Sequence, residues 1–74
     1  MFRIKKVRRD MGVTQEEIAS YLNMSKRNWI RIENGEHEPK LKVADRAYNY
    51  LIAVAAKDNK DFKYNMLELF SEDS

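Results

Sequence analysis

The side chains with the clearest chemical use in this chain of 74 residues are three cations, Lys26, Arg27 and Arg31. An α-helix turns by about 100° per residue, so these three side chains would fall within an arc of roughly 140°. Trp29 and Ile32 would fall on the opposite side of the same helix. A helix of this kind buries its apolar face and presents its cationic face to a polyanion.

A second short helix is predicted just before this one. Thr14 and Glu17 have the spacing of a capping box, and Ile18, Ala19 and Leu22 form an apolar stripe. We therefore expect the second helix to begin after Thr14 and to bury this stripe.

The two helices are joined by a tight turn. Asn23 adopts the left-handed conformation more readily than most residues, although less readily than glycine. Ser25 is a good N-cap for the next helix, which we expect to end before Gly35. Two short helices joined in this way, with cations on the second, indicate a protein that reads duplex DNA.

The rest of the chain predicts further helices and no strand, so the predicted fold class is all-α with five helices. Helix 1 covers about residues 2–11, because Ile4, Val7 and Met11 keep helical spacing. Helix 4 begins with a poor cap at Lys40. Its apolar positions are Leu41, Ala44, Ala47, Tyr48, Leu51 and Ala55.

A last helix is predicted over about residues 60–70, capped by Asn59 or Asp61. Its apolar residues are Phe62, Met66, Leu69 and Phe70. Two interpretations stay open: these side chains close the core of the monomer, or they meet a second subunit. The small size of the chain favours a dimer, because a chain this short buries only about 60% of its unfolded surface.

Composition indicates a single domain, residues 1–74, without cysteine and with a net charge of +2. Residues 1–42 contain ten Lys or Arg against six Asp or Glu, whereas residues 43–74 contain four against six. The basic surplus thus lies in the half that contains the helix pair. The longest apolar stretch, residues 48–56, is too short to span a bilayer, so we expect a cytoplasmic protein.

Catalysis finds no support in the sequence. His37 lies between Glu36 and Glu38, but neighbouring loop residues rarely converge on one metal ion without further ligands. We find no nucleophile and base at a recognisable spacing and no glycine-rich phosphate loop. We expect neither an enzyme nor a bound cofactor, metal ion or small-molecule effector.

The chain resembles the Cro/C1-type (XRE) helix-turn-helix family, the class of the lambdoid phage repressors and Cro proteins, over about residues 3–55. The residues that carry the resemblance are Arg8, Met11, Gly12, Val13, Thr14, Gln15, Ile18, Ala19, Leu22, Ser25, Ile32, Glu33, Asn34, Gly35, Pro39 and Leu51. Two positions depart from the family pattern. Asn23 stands where glycine is usual, and Trp29 stands where a smaller aliphatic residue is common.

The resemblance implies roles for individual residues. Lys26, Arg27 and Arg31 match positions that face base edges, where guanine O6 and N7 are the preferred acceptors of Lys and Arg. The positions that it places near the DNA backbone are Thr14, Gln15, Ser25, Asn34, Lys40 and Lys42. It also pairs Arg8 with Glu33 as a structural ion pair.

The function implied is that of a dimeric repressor, of the kind found in phages and mobile elements, which binds an inverted-repeat operator and controls its own synthesis. An alternative is a helix-turn-helix module that binds a protein, such as an antitoxin or a phage-encoded inhibitor of a host protein. The cationic arc distinguishes them, because a protein partner would not require Lys26, Arg27 and Arg31 to be presented together.

Overall fold

Five helices make up the computed structural model, which describes residues 1–72. The helices are α1 (Ile4–Asp10), α2 (Gln15–Tyr21), α3 (Lys26–Glu33), α4 (Leu41–Lys57) and α5 (Met66–Leu69). Among the described residues the only extended pairing is an isolated antiparallel bridge between Phe2 and Glu72. The prediction of an all-α fold with five helices is confirmed.

Each of the first four helices is followed by a residue with positive φ, two positions after its last helical residue. The four residues are Gly12, Asn23, Gly35 and Asn59, with φ of 74°, 58°, 80° and 55°. After α2, Asn23 N–H donates to the Ser20 carbonyl and Met24 N–H donates to the Ala19 carbonyl. This pair of bonds satisfies carbonyls that the helix leaves free, so the predicted left-handed turn at Asn23 is confirmed.

Helix starts also follow the predicted capping. Thr14 and Glu17 form the capping box of α2, with both hydrogen bonds at 3.0 Å. Ser25 caps α3 through Asn28 N–H at 3.1 Å. Lys40 caps α4 without a side-chain hydrogen bond, as expected of a residue that lacks an acceptor.

The predicted C-terminal helix over residues 60–70 is wrong, because α5 is only Met66–Leu69. Asn59 follows the C-cap of α4 in the left-handed conformation, and neither Asn59 nor Asp61 caps a helix. The cap of α5 is Asn65, which forms a capping box with Glu68. Its signal, Asn followed three residues later by Glu, was present in the sequence but was obscured by the helical spacing of Phe62 and Met66.

The core lies between all five helices and includes the single tryptophan. The largest fully buried side chains are Trp29, Ile4, Ile18, Leu51, Leu69 and Glu33. Leu69 is therefore enclosed by its own chain. Its side chain closes the core of the monomer, as in the first of the two interpretations, and is not available to a second subunit. Phe62 and Phe70 also pack within the chain, against Tyr48 and Phe2, with ring centroids 5.9 Å apart in each pair.

Two leucines remain in solvent. Leu41, the first apolar position of the predicted α4 stripe, is 72% exposed, and Leu67 on α5 is 78% exposed. Both line a groove of about 280 Å³ together with Phe2, Pro39, Met66 and Phe70. The buried stripe of α4 therefore begins at Ala44, and the surface around α5 carries apolar side chains that the fold does not use.

A buried carboxylate connects three helices. Glu33 Oε2 accepts hydrogen bonds from Arg8 Nε at 2.6 Å and from the Trp29 indole N–H at 2.8 Å. Glu33 Oε1 accepts from Gln15 Nε2 at 3.0 Å and from Arg8 Nη2 at 3.4 Å. Arg8 Nη1 donates to the Val13 carbonyl at 2.6 Å. In the described part of the chain no buried side-chain N or O atom is left without a partner.

Replacing Arg8 with methionine should lower the free energy of unfolding by about 3 kcal/mol or more, because the Glu33 carboxylate would stay buried without its cation. Thermal and urea unfolding, followed by circular dichroism, measure the change. Arg9→Met is the matched control, since Arg9 lies next in the chain and is exposed. Equal stability of the two variants would contradict a structural role for the buried pair.

The capping box of α2 should make stability depend on pH. The backbone N–H of Thr14, and then its side chain, hydrogen-bond with Glu17 and lower the pKa of the Glu17 carboxyl below its usual 4.5. A lowered pKa in the folded state stabilises the fold above the unfolded pKa, and this stability is lost as pH falls through the folded pKa. The stability difference between the wild type and Glu17→Gln should therefore be present at pH 7 and shrink below about pH 4.5.

Unfolding curves measured from pH 7 to pH 3 test this expectation. Glu36→Gln, which changes an exposed loop carboxylate, is the control. A difference between the wild type and Glu17→Gln that stays constant over this range would contradict it.

Candidate nucleic-acid interface

Helices α2 and α3 pack against each other through the residues that the sequence places inside. Ile18 and Ala19 of α2 and its C-cap Leu22 are buried, as are Trp29 and Ile32 of α3. Their exposed fractions do not exceed 5%. The apolar faces of both helices are thus buried in the core, and only the opposite face of α3 is accessible to a ligand.

The outward face of α3 carries the three cations predicted from the sequence. Lys26, Arg27 and Arg31 are all exposed, and Ile30 between them is partly buried. Because the buried side of α3 is fixed by Trp29 and Ile32, the three cations are held on one surface. This surface can donate charged hydrogen bonds to several acceptors at once.

The N-termini of α2 and α3 supply further donors. The hydroxyl oxygens of Thr14 and Ser25 accept backbone N–H bonds, which leaves each hydroxyl hydrogen able to donate. Gln15 is half-buried, and its amide nitrogen donates one hydrogen to Glu33 at 3.0 Å. The second hydrogen of that amide is still able to donate, so Gln15 can contact a ligand while it is hydrogen-bonded to the buried Glu33.

The other predicted backbone-contacting residues follow α3 in the chain. Asn34 is the C-cap of α3, and Lys40 and Lys42 lie at the start of α4 after the loop of residues 35–39. All three side chains are exposed. The structure thus leaves each of them accessible at the two ends of the loop.

Glu16 is a member of this surface that the sequence analysis did not identify. Its Oε1 lies 3.1 Å from Lys26 Nζ, and both side chains are exposed. The hydrogen bond from Lys26, followed by its charge, lowers the pKa of the Glu16 carboxyl below its usual value. The pair joins the first turn of α2 to the first turn of α3. A contact across a turn leaves no periodic signal in the sequence.

A further contact holds the far end of α2 on α4. Arg46 Nη2 donates to the Tyr21 carbonyl at 3.0 Å, and its guanidinium lies 5.4 Å from the Tyr21 ring centroid. The Tyr21 and Tyr50 rings are 4.7 Å apart. Burial, followed by the nearby Glu17, raises the pKa of the Tyr50 hydroxyl. These contacts position the helix pair and add no donor to the cationic face.

Over residues 1–72, no group of three or more His, Asp or Glu side chains is arranged to hold a metal ion; His37, Glu36 and Glu38 are exposed in their loop. Within the same residues no helix has the length and apolar character needed to cross a membrane.

Comparison with known proteins shows a match to a protein family. The family model described as "Helix-turn-helix domain" matches residues 2–68, which include α1 to α4 and most of α5. No curated protein and no solved structure gives a significant match. The match covers most of the chain, and it includes the packed pair of α2 and α3 with its exposed cationic face. The chain therefore belongs to the helix-turn-helix family of the Cro/C1 (XRE) type, a family of DNA-binding domains.

Proposed function

We propose that the chain is a sequence-specific transcriptional regulator that binds duplex DNA with α3 in the major groove. The observation that carries this proposal is the exposed arc of Lys26, Arg27 and Arg31 on a helix whose other face is fixed in the core. Arg27 and Arg31 can each form two hydrogen bonds to guanine O6 and N7, and a bidentate pair contributes about 1–3 kcal/mol of discrimination. Ile30 can contact a thymine methyl group from the same face.

Phosphate contacts would come from the edges of this surface. Thr14, Gln15 and Ser25 lie at the N-termini of α2 and α3, where free backbone N–H groups and the helix dipole favour an anion. Asn34, Lys40 and Lys42 would contact the backbone from the other end of α3. Such contacts fix the register of the protein on DNA and carry little sequence information.

The regulator we propose is a dimeric repressor that binds an inverted repeat. Two copies of α3 about 34 Å apart would enter successive major grooves on one side of the duplex. Occupancy of a promoter by such a dimer excludes polymerase, and binding to its own promoter would make the repressor autoregulated. Because a two-fold dimer uses the same surface on both subunits, it needs a patch that is complementary to itself.

The groove beside α5 supports the choice of that patch. Leu67 and Leu41 project into solvent at the edge of an apolar groove formed by Phe2, Pro39 and Phe70. A two-fold axis near Leu67 would place Leu67 of each copy into the groove of the other. Leu69 lies in the core beneath, and Phe62 packs against Tyr48 away from this groove. The proposed dimer surface therefore keeps Met66 and Phe70 of the predicted set, omits Phe62, and replaces Leu69 by Leu41 and Leu67.

Selection of binding sites from a random duplex library, at about physiological salt, tests the proposal as a whole. We expect an inverted repeat whose half-sites are about one helical turn apart. Enrichment of a single half-site would keep DNA reading and refute the dimer. No enrichment, with only weak salt-sensitive binding, would refute sequence-specific regulation and favour the alternative of a protein-binding module.

Replacement of a base-reading arginine should reduce affinity and leave stability unchanged. Arg27→Ala and Arg31→Ala should each weaken binding to the selected duplex by about 1–3 kcal/mol, with an unchanged melting temperature, because both side chains are exposed. Fluorescence anisotropy and thermal unfolding are the two measurements. Lys57→Ala removes an exposed cation at the end of α4 and is the control. Unchanged affinity in both arginine variants would refute α3 as the recognition helix.

The dimer surface predicts a change in mass. Leu67→Asp places a charge at the centre of the proposed contact and should convert the protein to a monomer without unfolding it, because Leu67 is 78% exposed. Sedimentation velocity measures the mass. Ala53→Asp, at an exposed position of α4, is the control and should stay dimeric. A wild type that is monomeric both alone and on the selected duplex would contradict this surface.

A further inference from the structure

One negative charge lies within the cationic surface of α3. Glu16 and Lys26 are paired at 3.1 Å, and their side chains are 68% and 50% exposed. A glutamate is ionised at neutral pH, and the hydrogen bond and charge of Lys26 lower the pKa of the Glu16 carboxyl further. Of the three cations, Lys26 is therefore the one whose charge is already neutralised by a carboxylate before DNA binds. For Arg27 and Arg31 no carboxylate lies within 4.0 Å among the ion pairs of the described residues.

The positions of the two residues explain why the pair forms. Glu16 is the second residue of α2, where the positive end of the helix dipole stabilises a carboxylate. Lys26 is the first residue of α3, where the same end of a dipole disfavours a cation. Glu16 thus compensates a lysine that its own helix does not stabilise. Both residues line a groove of about 430 Å³ at the turn between the helices.

The energetics of the pair favour some ligands over others. An exposed ion pair contributes roughly 0–1 kcal/mol, so Lys26 can leave Glu16 for a good acceptor. A phosphate in that place would be repelled by the Glu16 carboxylate, which would stand unpaired beside it. A guanine edge carries no net charge and offers two acceptors, so it can take over the lysine without this repulsion.

We propose that Glu16 determines specificity: by pairing with Lys26 it weakens binding through phosphates alone, and Lys26 contributes where a base edge accepts its hydrogen bond. This inference rests on the proposed DNA-reading function of α3. The Glu16 carboxylate on α2 would suppress binding to the wrong sequence by repelling phosphate. Specific interfaces commonly use such repulsion against unwanted partners.

The test compares the selected duplex with a scrambled duplex of equal composition, over a series of salt concentrations. Glu16→Gln should raise affinity for the scrambled duplex roughly fivefold. The slope of log affinity against log salt should become steeper by about 0.9, because the released Lys26 neutralises one more phosphate. Asp45→Asn removes the same charge at an exposed position of α4 and should leave the slope unchanged.

A second substitution assigns the effect to the pair. Lys26→Met should leave the slope on the scrambled duplex unchanged in the wild type and should return the slope of Glu16→Gln to the wild-type value. If Glu16→Gln and Asp45→Asn have the same affinity for the scrambled duplex and the same salt slope, the proposal is overturned. If Arg27→Ala and Arg31→Ala lose affinity while Glu16→Gln behaves as Asp45→Asn, only this inference fails. If both arginine variants bind as the wild type does, the proposed function fails with it.

Discussion

The structure depends on one carboxylate held out of water. An ionised group in a low-dielectric interior is strongly unfavourable unless its charge is compensated and its lone pairs accept hydrogen bonds. Glu33 meets both conditions with donors from three places in the chain: Arg8 on α1, Gln15 at the start of α2 and Trp29 one turn earlier on α3. The chain can satisfy this carboxylate only when these three helices have their native arrangement. Glu33 therefore links the orientation of α3, the proposed recognition helix, to the rest of the fold.

This link extends to the surface through Gln15. One hydrogen of its amide is bound to Glu33, and the other is free at the first turn of α2. The group that would contact a phosphate is thus positioned by the same buried charge that positions α3. Contacts that fix the register on DNA need such rigid support, because a side chain that must be ordered on binding loses conformational entropy.

Local signals made most of the fold predictable. Caps at Thr14 and Ser25 and left-handed residues at Asn23 and Gly35 act within a few residues, so they appear directly in the sequence. The arc of Lys26, Arg27 and Arg31 follows from helical geometry. Contacts between distant segments were not predictable in this way. The bond of Gln15 to Glu33, the pairing of Glu16 with Lys26 and the burial of Leu69 each depend on how helices meet in three dimensions.

The position of Trp29 gives the protein an internal optical probe. It is the only tryptophan in the chain, it is fully buried, and its indole N–H is bound 2.8 Å from a carboxylate oxygen. Its fluorescence therefore comes from a single environment on the buried side of α3. Any event that separates α3 from the body of the domain would expose this indole to water and change its emission, whereas events confined to the outer face of α3 would leave the emission largely as it is.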